Sequence, residues 1–313
     1  RHTGHMKTII IGTRGSPLAL AQVEIITGLL QKAHAGLQVE RRIIKTSGDK
    51  FMEMSLTAGA GKGLFTKEIE EQLLASDIDL AIHSMKDLPT QLPEGLTIGA
   101  VPAREDAHDV LISKRYRSVD ELPQGARIAT SSPRRRAQLL VRRPDLKILE
   151  IRGNVGTRVQ KSAEYDGVIL AAAGLKRLGL QVEYHPLDFA VMIPAVGQGI
   201  IACQVREADM ETQELLAAIN HADTLACAEA ERVFLRTLGG GCQLPYAGHA
   251  IVAGEQLRLI GARFEPDIRR TDVTGPKDQP HELGERAADL DQLVRGGRSG
   301  GRIGGPGRYA DRP

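Results

Sequence analysis

The 313 residues include no tryptophan and only 3% aromatic side chains. That scarcity argues against nucleic-acid recognition by stacking, which needs aromatic faces interleaved with cations. An excess of one charge is lacking too. Basic side chains number 41 and acidic ones 39, so a formal net charge of +2 offers no bulk field to draw nucleic acid or an anionic membrane. No apolar run approaches the roughly 20 residues of a membrane span, the densest, Gly167 to Ala173, being strand-sized. Cys203, Cys227 and Cys242 form neither an even disulfide set nor a close-spaced zinc pattern, a usage that fits a reducing compartment and points to the cytoplasm. No paired metal-ligand spacing occurs, so no metal is implied.

What is present is globular composition, 42% hydrophobic and 26% charged, in a length that suits two or three domains. Basic residues are skewed to 29 Arg against 12 Lys. Guanidiniums fork onto carboxylates and phosphates, so the skew hints at anionic ligands, although a GC-rich genome or a hot habitat would also favour arginine. Arg1 to His5 precede the first strand-like run, headed by Met6, and are set aside.

Lys7 to Gly12 reads as a strand, and Ser16-Pro17 opens a helix with apolar residues at Leu18, Ala21, Ile25 and Leu29. Val39 to Thr46 and Ile78 to Ile82 read as strands and Leu64 to Ala75 as a helix. Ser47 to Gly63 reads as a long glycine-rich loop, a plausible lid. Lys62 within it is followed by Gly63 rather than Ser or Thr, which excludes a nucleotide P-loop. Strands follow at Asp109 to Ser113, Arg127 to Thr130, Lys147 to Ile151, Gly167 to Ala171 and Ile200 to Val205, with a helix at Glu211 to Ile219. Thr130-Ser-Ser132-Pro133 echoes Thr13-Arg-Gly-Ser16-Pro17, as two similar α/β domains would, unless a common βα turn has recurred by chance. The alternation predicts mostly parallel sheets with ligands at the carboxyl ends of strands. After a helix from Asp223 to Leu238, runs at Ala247 to Val252, Leu257 to Phe264 and Ile268 to Val273 predict a three-stranded antiparallel meander. A helix from Glu282 to Val294 precedes a segment, Gly296 to Gly307, expected to be disordered.

From Arg127 to Arg158 nine basic residues face Asp145 and Glu150 alone. Arg134 and Arg135 occupy a first helical turn, where the dipole opposes cations unless an anion is bound, so they are expected to hold a ligand. Arg152 and Arg158 flank Gly153-Asn-Val-Gly-Thr157, and Arg14 lies in the equivalent turn of the first domain. His83-Ser-Met-Lys-Asp87 places Lys86 and Asp87 at a strand's carboxyl end, either as a surface pair or as an ionised carboxylate able to stabilise a cation or accept a proton. His83 reads as packed. Cys242, in Gly239-Gly-Gly-Cys-Gln243, is either an unremarkable loop residue or a thiol open to covalent chemistry.

These segments together resemble the porphobilinogen deaminase (hydroxymethylbilane synthase) family. The resemblance rests on Gly12-Thr-Arg-Gly-Ser-Pro-Leu-Ala-Leu20, Gly61-Lys-Gly-Leu-Phe65, His83-Ser-Met-Lys-Asp-Leu-Pro89, Thr130-Ser-Ser-Pro-Arg-Arg135, Arg152-Gly-Asn-Val-Gly-Thr-Arg158, Pro194-Ala-Val-Gly-Gln-Gly199 and Gly240-Gly-Cys-Gln243. It implies an α/β fold of two similar doubly wound, periplasmic-binding-protein-like domains plus a smaller α+β domain, divided as 6–102 with 200–219, 103–199 and 222–313. It implies a transferase that joins four molecules of porphobilinogen with loss of ammonia. It also implies a dipyrromethane cofactor held through a thioether on Cys242, which acts as the primer. Asp87 is then the catalytic carboxylate, stabilising the azafulvene-like cation. Lys86, Asp87, Thr130, Ser132, Arg134 and Arg135 would bind the cofactor, and Arg14, Ser16, Lys62, Ser84, Arg152, Arg158, Arg177 and Gln198 the substrate. A cytoplasmic monomer without nucleic-acid or membrane partners is expected. The alternative is a two-domain clamshell binding protein for an anionic solute, which needs neither Asp87 nor Cys242.

Overall fold

A computed structural model describes residues 8–53, 63–241 and 244–290. The first unit comprises strand β1 (Thr8–Thr13), helix α1 (Pro17–Ala33), β2 (Gln38–Ile43), α2 (Ser47–Glu53), α3 (Lys67–Leu74), β3 (Leu80–Ser84) and β4 (Leu96–Ala100). The second comprises β5 (Asp109–Ile112), β6 (Arg127–Ala129), α4 (Pro133–Arg142), β7 (Lys147–Leu149), α5 (Val155–Lys161), β8 (Gly167–Ala171), α6 (Ala172–Arg177) and β9 (His185–Pro186). The chain then returns through β10 (Ile201–Arg206) and α7 (Met210–Ala217). It ends in a third unit of α8 (Ala222–Thr237), β11 (Tyr246–Ala253), β12 (Gln256–Arg263), β13 (Arg269–Pro276) and α9 (Pro280–Ala288).

The two α/β sheets have the same plan, β2-β1-β3-β10-β4 and β7-β6-β8-β5-β9. Three adjacent strands in each are parallel and the fourth position is antiparallel to both neighbours. The expectation of mostly parallel sheets therefore needs correcting at β5 and β10. Each is the first strand after the chain crosses from the other unit, so no βαβ crossover dictates its direction. Residues such as Ile9, Ile11, Val23 and Ile26 form the first core, and Leu111, Ile128, Leu139 and Ile169 the second. Each fully buried side chain of this size contributes about 1.5 to 3 kcal/mol.

The echoed Ser-Pro segments fall at equivalent places, after β1 and after β6. Ser16 Oγ accepts from the Ala19 N–H at 3.3 Å and Ser132 Oγ from the Arg135 N–H at 3.2 Å, each followed by proline at the first helical position. The supposed loop from Ser47 begins instead as α2. Thr46 and Asp49 cap it reciprocally, Thr46 N–H donating to Asp49 Oδ2 at 3.1 Å and Asp49 N–H to Thr46 Oγ1 at 3.3 Å, a capping box that outweighs the cost of Gly48. The lid expected over Ser47 to Gly63 falls for residues 54–62 outside the described residues, as does the tail from Gly296.

The third unit is the antiparallel meander β11-β12-β13 with α8 and α9 packed against it. It is fastened to the crossing segments by Glu231, wholly buried on α8, which takes both ends of the Arg104 guanidinium at 2.6 and 3.0 Å and the Gly197 N–H at 3.1 Å.

Candidate active site

The carboxyl ends of both sheets face one cleft, and α1 meets α6 across it. On the first unit's side, Arg14 leaves β1 and donates through Nε to Asp49 Oδ1 at 3.0 Å, its guanidinium lying 4.1 Å from the Phe65 ring centroid. Asp49 thus both caps α2 and aims Arg14. Gln22, buried on α1, donates to Ser84 Oγ at 2.9 Å at the end of β3. A single 3-10 turn, Met85–Asp87, follows. Its buried Met85 anchors it, leaving Lys86 half-buried and Asp87 exposed. Gly197 makes this packing possible: its φ is +77° and a Cβ there would stand 2.8 Å from Met85 Cγ and 3.2 Å from the Lys86 nitrogen.

Two hollows share Leu18, Gln22 and Ser84 and form one continuous cleft. The larger, about 500 Å³, is lined by Lys86, Arg135, Arg158 and Arg177 with apolar Leu18, Val155, Leu170 and Ile200, and by no carboxylate. The smaller, about 420 Å³, contains Arg14, Ser16, His83, Ser84, Phe65 and Asp87. Burial, reinforced by the Arg135 guanidinium, brings the Lys86 ammonium down to about 8. Arg135 has Asp109 behind the wall, but the cations that line the hollow outnumber the carboxylates that do, an excess of positive charge in a low-dielectric wall that a polycarboxylate would relieve.

Of the residues expected at the site, the cleft brings together Arg14, Ser16, Ser84, Lys86, Asp87, Arg135, Arg158 and Arg177. Arg158 donates from Nε to the Gly153 carbonyl at 2.8 Å and Arg177 from Nη2 to the Gly199 carbonyl at 2.7 Å, which orients both. Thr130 and Ser132 do not line either hollow; they brace the start of α4, Thr130 Oγ1 accepting from the Ser132 N–H at 3.2 Å. Gln198 is fully buried and donates to the Ala107 carbonyl at 2.8 Å. Arg152 is exposed and lines neither hollow. Lys62 and Cys242 lie outside the described residues.

Arg134 is turned away from the cleft. Asp109, wholly buried on β5, accepts from Arg134 at 2.8 and 3.0 Å and from Arg135 Nε at 2.7 Å. Burial pushes the Asp109 carboxyl up, but the Arg134 and Arg135 guanidiniums outweigh it and hold the group far below the usual carboxylate range. The anion that two arginines at a helix start require is therefore supplied by the protein itself, and only Arg135 lines the cleft. Sequence reasoning missed Asp109, although an acid heading the apolar run Asp109-Val-Leu-Ile112 was a signal. It missed Asp49 as well, for which Thr46-x-x-Asp49 was the signal.

Two sheets of one plan around a cation-lined cleft, with a lone exposed acid where the cleft meets solvent, define a two-lobed α/β enzyme acting on an acidic substrate. Residues 9–214 match the family model described as "Porphobilinogen deaminase, dipyromethane cofactor binding domain", and residues 225–290 match "Porphobilinogen deaminase, C-terminal domain". The porphobilinogen deaminase of Nitratidesulfovibrio vulgaris (strain DP4) is 51% identical over 275 residues, covering 85% of this chain and 87% of that protein. That of Syntrophotalea carbinolica is 49% identical over 295 residues, covering 91% and 92%. The chain belongs to the porphobilinogen deaminase family, and with it to the hydroxymethylbilane-forming transferases of tetrapyrrole biosynthesis. The solved methionine-binding protein MetQ is alike in fold alone, with a TM-score of 0.43 at 16% identity over 68% of this chain and 89% of that one. Among the described residues no helix is long and apolar enough to cross a membrane, and no group of three or more His, Cys, Asp or Glu could hold a metal ion.

Proposed function

We propose that the cleft holds a dipyrromethane and the growing pyrrole chain by their carboxylates, that Cys242 carries this primer through a thioether, and that Asp87 acts on the incoming porphobilinogen. The observation that supports this most is the larger hollow, whose lining gathers Lys86, Arg135, Arg158 and Arg177 and includes no carboxylate. Each pyrrole of such a chain bears an acetate and a propionate, so the donor set fits the group. When bound, the dipyrromethane supplies the free end to which the first ring is joined. The chain's own residues then bind and orient. Charge-assisted bonds from Lys86, Arg135, Arg158 and Arg177 contribute about 1.5 to 3 kcal/mol each once water is excluded. Arg14, Ser16 and Ser84, beside Asp87, hold the arriving ring, and Asp87 stabilises the positive charge that develops as ammonia leaves. Thr130 and Ser132 act through Arg135, which they set on its helix. Arg134 and Gln198 support the same wall from behind, and Lys62 is assigned to the substrate. The three units are taken as domains with the boundaries expected above, in a cytoplasmic monomer.

Arg152, on the open side of the turn between β7 and α5, is assigned to carboxylates of the longer intermediates. Intact-mass spectra after limiting porphobilinogen are expected to show a ladder of added rings in the wild type and a ladder that stops early in Arg152→Leu. Unchanged elongation in that variant removes Arg152 from the cradle, and a wild type that takes up no rings removes the reading as a whole.

Lys86 makes binding pH-dependent. Below about 8 it is an ammonium that holds a carboxylate; above that it loses its proton and its attraction. The rate at which rings are added to the held chain is therefore expected to fall by roughly three- to tenfold between about pH 7.5 and 9.5, while Lys86→Arg flattens the fall. A fall of equal size in both proteins assigns it to another group.

A further inference from the structure

Asp87 stands in a turn of three residues, Met85–Asp87, whose closing bond runs from the Leu88 N–H to the Met85 carbonyl at 3.0 Å. A single 3-10 turn has little stiffness of its own, so its neighbours set where Asp87 stands. The entrance is held from just ahead of β10, where the Ile200 carbonyl accepts from the Met85 N–H at 2.9 Å. The exit is held from the third unit. Arg232, on α8 and only 7% exposed, donates from Nη2 to the Pro89 carbonyl at 2.7 Å and from Nη1 to the Leu88 carbonyl at 3.4 Å. One helical turn further on, Arg236 Nη1 donates to the Thr90 carbonyl at 3.3 Å.

Cohesion does not require these bonds. Met85 and Leu88 already share an apolar cluster with Ala228 of α8, and Leu225 packs against it. Burying a guanidinium there carries a desolvation cost that another apolar side chain would avoid. What a planar fork adds is direction: donors onto two successive carbonyls fix the path of the chain as it leaves Asp87. The residue before Arg232 grips the other side of the turn. Glu231 accepts from the Gly197 N–H at 3.1 Å, and Gly197 is the residue packed on Met85 and on the Lys86 nitrogen. α8 ends at Thr237, so the helix that holds this turn also leads into the segment of sequence containing Cys242.

We propose that Arg232 is a positioning residue for the reaction: through the Leu88 and Pro89 carbonyls it fixes the direction in which Asp87 meets the arriving ring. This rests on the reading of Asp87 as the carboxylate that acts on porphobilinogen. Arg232 lines neither hollow, so its effect passes through the turn.

Arg232→Met keeps an aliphatic stem and removes the fork, and Arg232→Lys keeps the charge but offers a single point donor. Hydrogen exchange reads the turn without turnover. The Leu88 amide is expected to exchange at least about tenfold faster in Arg232→Met, with the Met85 amide unchanged because its bond to Ile200 does not involve α8. In the same variant kcat is expected to fall about tenfold, and in Arg232→Lys about threefold, with KM within about twofold in both. Combining Arg232→Met with Asp87→Asn separates positioning from a general loosening of the fold. A residue that acts through Asp87 adds less than about twofold to the loss that Asp87→Asn already causes, whereas general loosening multiplies the two losses. Should only Arg232→Lys fold, the same cycle and the same amide are read in it. Full multiplication, an unchanged Leu88 amide or a wild-type kcat overturns the proposal, and so does loss of the fold in both variants, which assigns Arg232 to stability alone. Wild-type turnover in Asp87→Asn by itself removes the reading of Asp87 and the proposal with it; the other results touch Arg232 only.

Discussion

Asp87→Asn is expected to lower turnover by about 10²- to 10⁴-fold while the fold, the cation-lined hollow and any attached primer remain. Asp87 lies at the end of a 3-10 turn and is exposed, so losing its charge leaves the packing of buried Met85 and Leu88 as it is. On the proposed reading, what is lost is an anion fixed where positive charge develops. Amide and carboxylate have nearly the same shape, so a ring should still seat against Arg14 and Ser84 with KM changed by less than about threefold. Steady-state kinetics with porphobilinogen, together with an unchanged thermal midpoint, test this. Turnover near the wild-type value would mean that the carboxylate plays no part in ammonia loss.

Cys242→Ser is expected to abolish turnover and to remove a dipyrrole-sized mass. The wild-type protein should carry that excess by intact-mass spectrometry and should colour with p-dialkylaminobenzaldehyde in acid; the variant should do neither. Stability should fall with it. Lys86, Arg135, Arg158 and Arg177 would then line the hollow with only the protein's own Asp109 behind Arg135 and without the primer's carboxylates, and the thermal midpoint is expected to drop by about 5 °C or more. Active wild-type protein of unmodified mass would remove the primer, and with it the assignment of Cys242.

Several features were legible because they are local. Ser16-Pro17 and Ser132-Pro133 start α1 and α4 through side chains that reach only three residues ahead, and β8 spans the Gly167 to Ala171 read from its apolar run. The meander showed in its alternation and its turn residues. Lys86 and Asp87 were legible as charged residues at a strand's carboxyl end, and both line the cleft. Other features depended on distant partners. The helix from Ser47 was hidden behind glycine, since its stability comes from a reciprocal cap and from the Arg14 bond to Asp49, 35 residues away. The reversed direction of β5 and β10 carries no local mark, because strand residues look alike whichever way the chain enters the sheet. His83 read as packed, and it is packed; it bonds to Gln204, 121 positions away, which in turn donates to Glu70, 134 positions away.

By itself the sequence determined the family, the α/β plan with its small third unit, and a chemistry of guanidiniums answering carboxylates. Only the tertiary structure decided which guanidiniums face the cleft. Arg134 and Arg135 are neighbours with the same local signal, yet one lines the hollow and the other is turned onto Asp109. The reason is reach: a charge-assisted hydrogen bond acts over about 3 Å, and which carboxylate comes that close depends on where β5 enters the sheet.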